Sequence, residues 1–167
     1  GAQTGDSVFY IQGFTGPDAR LSLPFSPGWD LRFINYAVLQ FYMAVEKPED
    51  TARFGPLDLL TLQDLSGTSP TDILDFAIAK SYSSNFANLR DYLAIFGGNP
   101  IRDTLDGTPV LRYNFNITAH FQKTRKEKKG LELLITPLFK TETARRVALF
   151  GNKHSRFPAR LKLVYSE

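Results

Sequence analysis

The chain offers few side chains of the types that perform catalysis. It contains two histidines, His120 and His154, and no cysteine. The lack of cysteine excludes a thiol nucleophile, a disulfide framework and a thiolate-bound metal in this chain. Neither histidine has a carboxylate at a nearby spacing, and the two do not form the pattern of a metal-binding helix. We therefore predict a protein that is not an enzyme and that holds no cofactor and no metal ion.

Basic residues are concentrated in the C-terminal part of the sequence. Residues 1–100 contain 6 Lys and Arg against 11 Asp and Glu, whereas residues 101–167 contain 14 against 6. This asymmetry favours one strongly positive surface that attracts phosphate-rich partners and can dock on the acidic part of a neighbouring copy. The candidate residues for binding anionic surfaces or phosphate are Lys123, Arg125, Lys126, Lys128, Lys129, Arg145, Arg146, Lys153, Arg156, Arg160 and Lys162.

The densest basic run, residues 123–129, carries five cations in seven residues. A cluster of this kind docks on anionic lipid headgroups, at about 1 kcal/mol per cation near the surface. It meets RNA phosphates in the same salt-sensitive way, without sequence preference. It is also typical of a solvated face that only keeps a protein soluble. The expected partners are a second copy of the chain, an anionic lipid surface, and RNA or nucleoprotein.

Hydrophobic periodicity predicts one α+β domain over residues 1–167, with a mainly antiparallel sheet and about three to four helices packed on it. The predicted strands are 8–12, 33–45, 111–121, 131–135 and 160–165, and the predicted helices are 56–65, 70–78, 86–96 and 141–150. Residues 33–45 are apolar on both faces, which is typical of a central strand in a covered sheet. Residues 1–7 are expected to be flexible, and 123–130 to form a basic hairpin loop.

The strand and helix predictions also place individual side chains. Strict alternation over residues 111–121 puts His120 on the polar, water-facing side of a strand. Asp75 follows a helix start signal at residues 69–72, where capping and solubility explain a carboxylate. Gly97 and Gly98 end the preceding helix rather than form a phosphate-binding loop. Trp29, the only tryptophan, is expected to pack as the anchor of a proline-rich loop.

The layout resembles the matrix proteins of negative-strand RNA viruses, the plant rhabdovirus type most of all. The shared features are a small basic domain, a long aromatic-rich strand at 33–45, helices at 56–65 and 86–96, and a late strand at 111–121 with a lysine-rich continuation. The resemblance implies a non-enzymatic protein that coats the inner membrane leaflet, self-associates and condenses the nucleocapsid. It implies that residues 123–129 face lipid or ribonucleoprotein through Lys123, Arg125, Lys126, Lys128 and Lys129.

The longest apolar stretch, residues 33–45, is too short and too polar to span a bilayer. No signal peptide is recognisable at the start of the chain. The expected location is cytoplasmic, peripheral at membranes or in virions, with nuclear entry possible through the lysine run. Two other hypotheses stay open. One is a soluble α+β interaction domain whose Tyr, Phe and Trp29 side chains line an apolar ligand pocket. The other is a small enzyme that depends on His120 or His154.

Overall fold

A computed structural model describes residues 7–30, 33–43 and 57–166, which form mainly antiparallel strands with three α-helices among these residues. Two four-stranded sheets have the orders β10-β3-β7-β6 and β2-β8-β4-β5, and β1 pairs with β9. The strands are β1 (Val8–Gln12), β2 (Ala19–Leu23), β3 (Phe33–Tyr42), β4 (Leu60–Asp64), β5 (Thr71–Asp72), β6 (Gly97–Leu105), β7 (Thr108–Asn116), β8 (Leu131–Pro137), β9 (Arg146–Phe150) and β10 (Arg160–Ser166). The helices are α1 (Leu74–Tyr82), α2 (Leu89–Ile95) and α3 (Thr118–Lys126).

One hydrophobic core joins the two sheets. Alternation along β3 and β7 points Leu39, Phe41 and Phe115 inward, where each is at most 3% exposed. Leu62 of β4 and Leu133 of β8 enter the same cluster from the second sheet, and both are fully buried. The other face of the first sheet is therefore the face on which polar side chains collect.

The long central strand and two helices agree with the sequence-based prediction. β3 lies between β10 and β7, as a strand apolar on both faces requires. α1 overlaps the predicted helix 70–78 but begins at Leu74 and extends to Tyr82, and α2 lies within the predicted helix 86–96 but begins at Leu89. Three parts of the prediction lie outside the described residues: the flexible start before Ser7, the end of the strand at 44–45, and the helix start at Pro56.

Two predicted helices are wrong. Residues 60–64 of the predicted helix 56–65 form β4, because Leu60 and Leu62 alternate into the core while the backbone pairs with β8. The predicted helix 141–150 is replaced by a 3-10 turn at Lys140–Glu142 followed by β9. β9 pairs with β1 along its whole length. Short apolar runs fit either period, and here strand pairing decides the structure.

The strand β6 was not predicted from the sequence. Gly97 and Gly98 follow the end of α2, as predicted, but they also begin a strand that pairs with β7. The connecting turn is Asp106-Gly107, and both residues have positive φ values, 48° and 73°. Two consecutive residues with positive φ are what a tight two-residue hairpin demands. The hairpin places β6 at the edge of the first sheet.

The predicted strand 111–121 ends early, and the predicted basic hairpin loop 123–130 is wrong. β7 ends at Asn116, and α3 begins at Thr118. The Asp75 carboxylate accepts hydrogen bonds from the backbone N–H groups of Ala119 and His120, which starts a helix where the local pattern favours a strand. The basic run is consequently the last turns of a helix and the turn that follows it.

Candidate anionic-partner interface

The structure distributes the predicted cations over four segments instead of one hairpin. Five lie at the end of α3 and in its following turn, two near the start of β9, two in the loop from β9 to β10, and two on β10. The terminal strand pairs with β3, so it does not extend a lysine-rich hairpin. The predicted cations therefore do not form one continuous hairpin surface.

The lysine run at the end of α3 has local roles. Cations in the last turn of a helix interact favourably with its negative end. Arg125 donates to the carbonyl oxygen of Trp29 at 3.2 Å, Lys128 lies 3.7 Å from Asp30, and Lys129 lies 2.9 Å from Glu127. Exposed pairs of this kind stabilise a protein by at most about 1 kcal/mol. They nevertheless place carboxylates beside the cations and weaken the positive potential there.

The other cations of this run and those near β9 differ in exposure and in ion pairing. Lys123 and Lys126 are exposed and have no ion pair within the described part of the chain. Arg145 forms an ion pair with Asp58 at 2.6 Å, and Arg146 is half-buried at the start of β9. This part of the predicted set thus combines cations held in ion pairs and two cations, Lys123 and Lys126, that have no ion pair in the described residues.

The C-terminal cations are exposed and have no carboxylate partner among residues 7–30, 33–43 and 57–166. These four residues, Lys153, Arg156, Arg160 and Lys162, are called the C-terminal basic face below. The Arg160 guanidinium lies 6.0 Å from the centre of the Tyr42 ring, and that of Arg156 lies 4.9 Å from the centre of the Phe157 ring. Arg156 also donates to the Thr108 hydroxyl at 2.8 Å.

Stacking on aromatic rings gives these arginines defined positions while their charge stays available. The Tyr42 and Phe157 rings lie 6.0 Å apart, so the two guanidinium groups flank one aromatic pair. A guanidinium held by its face still presents its N–H edges, which bind phosphate or carboxylate in a bidentate manner. This arrangement suits an anionic partner better than the paired lysines after α3.

Strand pairing places β10 cations beside polar and aromatic groups of β3. Arg160 is opposite Gln40, Lys162 is opposite Val38, and Val164 is opposite Tyr36. Partners in an antiparallel pair share a face, and successive residues on that face are about 7 Å apart. The outer face of the first sheet therefore carries a row of two cations next to Tyr36, whose side chain is 47% exposed.

A groove of about 330 Å³ lies on the same face. Its sides come from β3, β6, β7, β10 and the end of α2, and its volume is at the lower end of the range for small-ligand sites. Among the residues that the structure describes, no carboxylate lines it, and Lys162 is the one charged residue in its lining. The groove thus joins the C-terminal basic face without an opposing charge.

A second cleft, of about 440 Å³, corresponds best to the ligand pocket of the alternative hypothesis. Phe76, Phe86 and Phe139 contribute to its walls, but it also contains Asp72 and Lys80 and is not purely apolar. Trp29 is not part of it. The indole packs on Phe121, with ring centres 4.9 Å apart, as expected for a loop anchor.

Each histidine ring is held by contacts within the fold. His154 stacks on Phe150 with ring centres 3.7 Å apart, and its Nδ1 accepts the backbone N–H of Phe157 at 2.8 Å. His120 is 2% exposed on α3, so its predicted position on the polar face of a strand is wrong. Burial lowers the pKa of His120, although the nearby carboxylates of Asp64 and Asp75 act in the opposite direction. A neutral buried imidazole is the consequence.

The buried imidazole makes stability depend on pH. In the unfolded chain this histidine takes up a proton near pH 6.5, whereas in the folded chain its lowered pKa delays protonation. The free energy of unfolding should therefore fall as the pH is lowered from 7 to 5. We expect His120→Gln to flatten this dependence, measured by urea denaturation at several pH values. An unchanged pH dependence in His120→Gln would contradict this assignment.

The raised pKa of Asp75 changes stability with pH in the direction opposite to that of His120. Burial raises the pKa of Asp75 above 3.8, against the lowering effect of the hydrogen bonds from His120 and Ala119. A raised carboxyl pKa contributes stability at low pH that is lost as the pH rises through the folded value. The parent curve contains both contributions, whereas the difference between the parent and His120→Gln isolates the histidine.

The described residues show neither a metal-ligand cluster nor a membrane-spanning helix. No group of three or more potential metal ligands is found within residues 7–30, 33–43 and 57–166. In the same residues, no helix has the length and apolar character needed to cross a membrane. Comparison with protein-family models, curated proteins and solved structures finds no match to this chain. The function of the site therefore has to follow from the chemistry of its residues.

The cations of the C-terminal basic face were among the candidates predicted from the sequence, whereas the neutral residues beside them were not. Tyr36 and Gln40 lie on β3 and Asn114 on the distant β7, and they meet the β10 cations only because β3 lies between β10 and β7. Gln40, which with Asn35 is one of two amide side chains in the stretch 33–45, was the available signal. A buried glutamine on a central strand requires a partner, and Asn114 is directly opposite.

Proposed function

We propose that this chain is a non-enzymatic assembly protein that binds a phosphate-bearing polymer, as RNA within a nucleoprotein, through its C-terminal basic face. The observation that carries the proposal is the set of four exposed cations without a carboxylate partner among the described residues. Two of them are arginines supported by aromatic rings, a geometry suited to bidentate phosphate contacts. Binding of this kind is sensitive to salt.

Self-association belongs to the same proposal. The acidic first part of the chain and its basic last part offer complementary charge between copies. An assembly protein of the matrix type requires both activities, because contacts between copies arrange the bound polymer. Binding to an anionic membrane is the alternative occupant of the basic face. A groove that offers hydrogen-bonding groups beside the cations favours the polymer, since acyl chains cannot use such groups.

The test compares two charge reversals of equal size. Arg160→Glu with Lys162→Glu changes the C-terminal basic face, and Lys123→Glu with Lys126→Glu changes the end of α3 by the same amount. We expect the parent to bind labelled RNA with an affinity that falls steeply with salt. The β10 double variant should lose about tenfold or more in affinity, with a salt slope lower by about two, while the α3 double variant stays close to the parent.

Each other result has a definite meaning. Loss of RNA binding in the α3 variant alone would move the interface to the lysine run and contradict the present assignment. Flotation with anionic vesicles in place of RNA binding would replace the polymer by a membrane. Absence of salt-sensitive binding to both would end the proposal. Sedimentation at several protein concentrations tests self-association in the same samples.

A further inference from the structure

The groove on the outer face of the first sheet has hydrogen-bonding groups in its lining. Gln40 is 4% exposed, and its Nε2 donates to Oδ1 of Asn114 at 2.9 Å. This contact leaves Oε1 of Gln40 without a donor among the described residues. A buried amide oxygen without a hydrogen bond is costly, so an N–H group brought in by a ligand would be favoured there.

The same pair of amides also offers a donor. Oδ1 of Asn114 is occupied by Gln40, and its Nδ2 group has no partner within the described part of the chain. An acceptor and a donor therefore lie on adjacent side chains of β3 and β7. Flat heterocycles with neighbouring donor and acceptor atoms, such as the edges of nucleobases, complement amides of this kind.

An aromatic ring lies beside the amides. Tyr36 lines the groove, is half exposed, and shares the outer face with Lys162 on the neighbouring strand. Unpaired bases are recognised in proteins by stacking on exposed aromatic rings and by hydrogen bonds to their edges. A cation on the adjacent strand is in reach of the phosphate attached to such a base.

We propose that this groove receives an unpaired base of a single-stranded nucleic acid whose phosphates lie along Lys162 and Arg160. The inference rests on the proposed function and adds a preference for single strands over duplex. Bases in a duplex are stacked and paired, so they cannot enter a groove lined by Gln40 and Asn114. The volume of about 330 Å³ suits one ring system rather than a folded segment.

The experiment measures the anisotropy of a short labelled RNA, as a single strand and as a duplex with its complement. We expect the full chain to bind the single strand more tightly. Tyr36→Ala should weaken binding of the single strand by about tenfold and leave duplex binding nearly unchanged, because stacking is lost while the cations remain. Tyr36→Phe should restore the preference. Tyr82→Ala, at a 74% exposed tyrosine on α1, is the matched control.

The results separate this inference from the proposed function. Equal affinity for both forms, with sensitivity to Arg160→Glu and Lys162→Glu, would overturn the groove and leave the basic face intact. An unchanged preference in Tyr36→Ala would overturn it as well. Absence of binding to both RNA forms would remove the proposed function together with the inference. Circular dichroism of every variant establishes that a lost preference does not reflect unfolding.

Discussion

Replacing Gly98 by alanine is expected to lower the free energy of unfolding by about 3 kcal/mol. Gly98 has φ +86°, a region that residues with a Cβ avoid. A Cβ at this position would overlap the carbonyl oxygen of Leu60, at the point where β6 of the first sheet approaches β4 of the second. The two sheets would have to separate locally, which disturbs the core as well as the strand.

Gly107→Ala is the matched control for this prediction. Gly107 also has a positive φ, 73°, but nothing lies within 4 Å of an added Cβ. The cost should be confined to the backbone conformation, about 1 kcal/mol. Urea denaturation of both variants, with m-values checked for two-state behaviour, gives the comparison. Equal losses in the two variants would show that the approach of Gly98 to Leu60 contributes nothing.

The parts of the fold that the sequence predicts are those where local pattern and tertiary environment agree. β3 has apolar side chains on both faces, and from Ala37 to Tyr42 it is buried on both, whereas Phe33 and Tyr36 near its start are exposed. The strand near 160–165 alternates, with Leu161 and Leu163 packed against the core and Lys162 exposed. In these segments the periodicity of burial is already present in the sequence, so the prediction needs no knowledge of a distant partner.

The errors arise where a distant group decides the local structure. Residues 118–121 continue the alternation of β7, yet the Asp75 carboxylate provides acceptors for two backbone N–H groups and a helix forms. The leucine-rich run after Pro56 was predicted as a helix, whereas Leu60–Asp64 form a strand because they pair with β8. Tertiary contacts of this kind commonly override local propensity.

In the candidate site, too, some features are visible in the local sequence while others depend on distant residues. Lys162 and Arg160 are visible as cations in the sequence, but their significance depends on the absence of nearby carboxylates among the described residues. The lysine run 123–129 is denser in charge, yet Asp30 and Glu127 lie beside it. Asp30 is almost a hundred positions away in the sequence. Density of charge along a chain is therefore a poor guide to the charge of a surface.

Asp75→Ala is expected to lower the free energy of unfolding by about 3 kcal/mol. The carboxylate is 4% exposed, and its two oxygens accept the N–H groups of Ala119 and His120 at 2.8 Å each. It lies in the first turn of α1 and at the start of α3, near the positive ends of two helices. Its removal leaves one buried and one partly buried backbone N–H without an acceptor and uncouples α3 from α1.

The loss of hydrogen-bond protection in Asp75→Ala should extend to β3. This spread would distinguish a helix cap from a residue that only packs. The Thr118 hydroxyl, at the start of α3, accepts the backbone N–H of Ala37 on β3 at 3.0 Å, so a frayed α3 exposes that strand. Hydrogen exchange should accelerate at Ala119, His120 and Ala37 in Asp75→Ala. Asp75→Asn keeps one acceptor oxygen and should lose about half as much stability.

Asp91→Ala provides the control for the loss of a helix-start carboxylate at the surface. Asp91 is exposed in the first turn of α2, where its carboxylate accepts from Asn88, and its removal should cost at most about 1 kcal/mol. A similar loss in Asp75→Ala would mean that water replaces the carboxylate at the start of α3. In that case the helix would depend on the burial of Ile117 and Phe121 alone, and the local strand pattern of residues 118–121 would have been overridden by packing rather than by the cap.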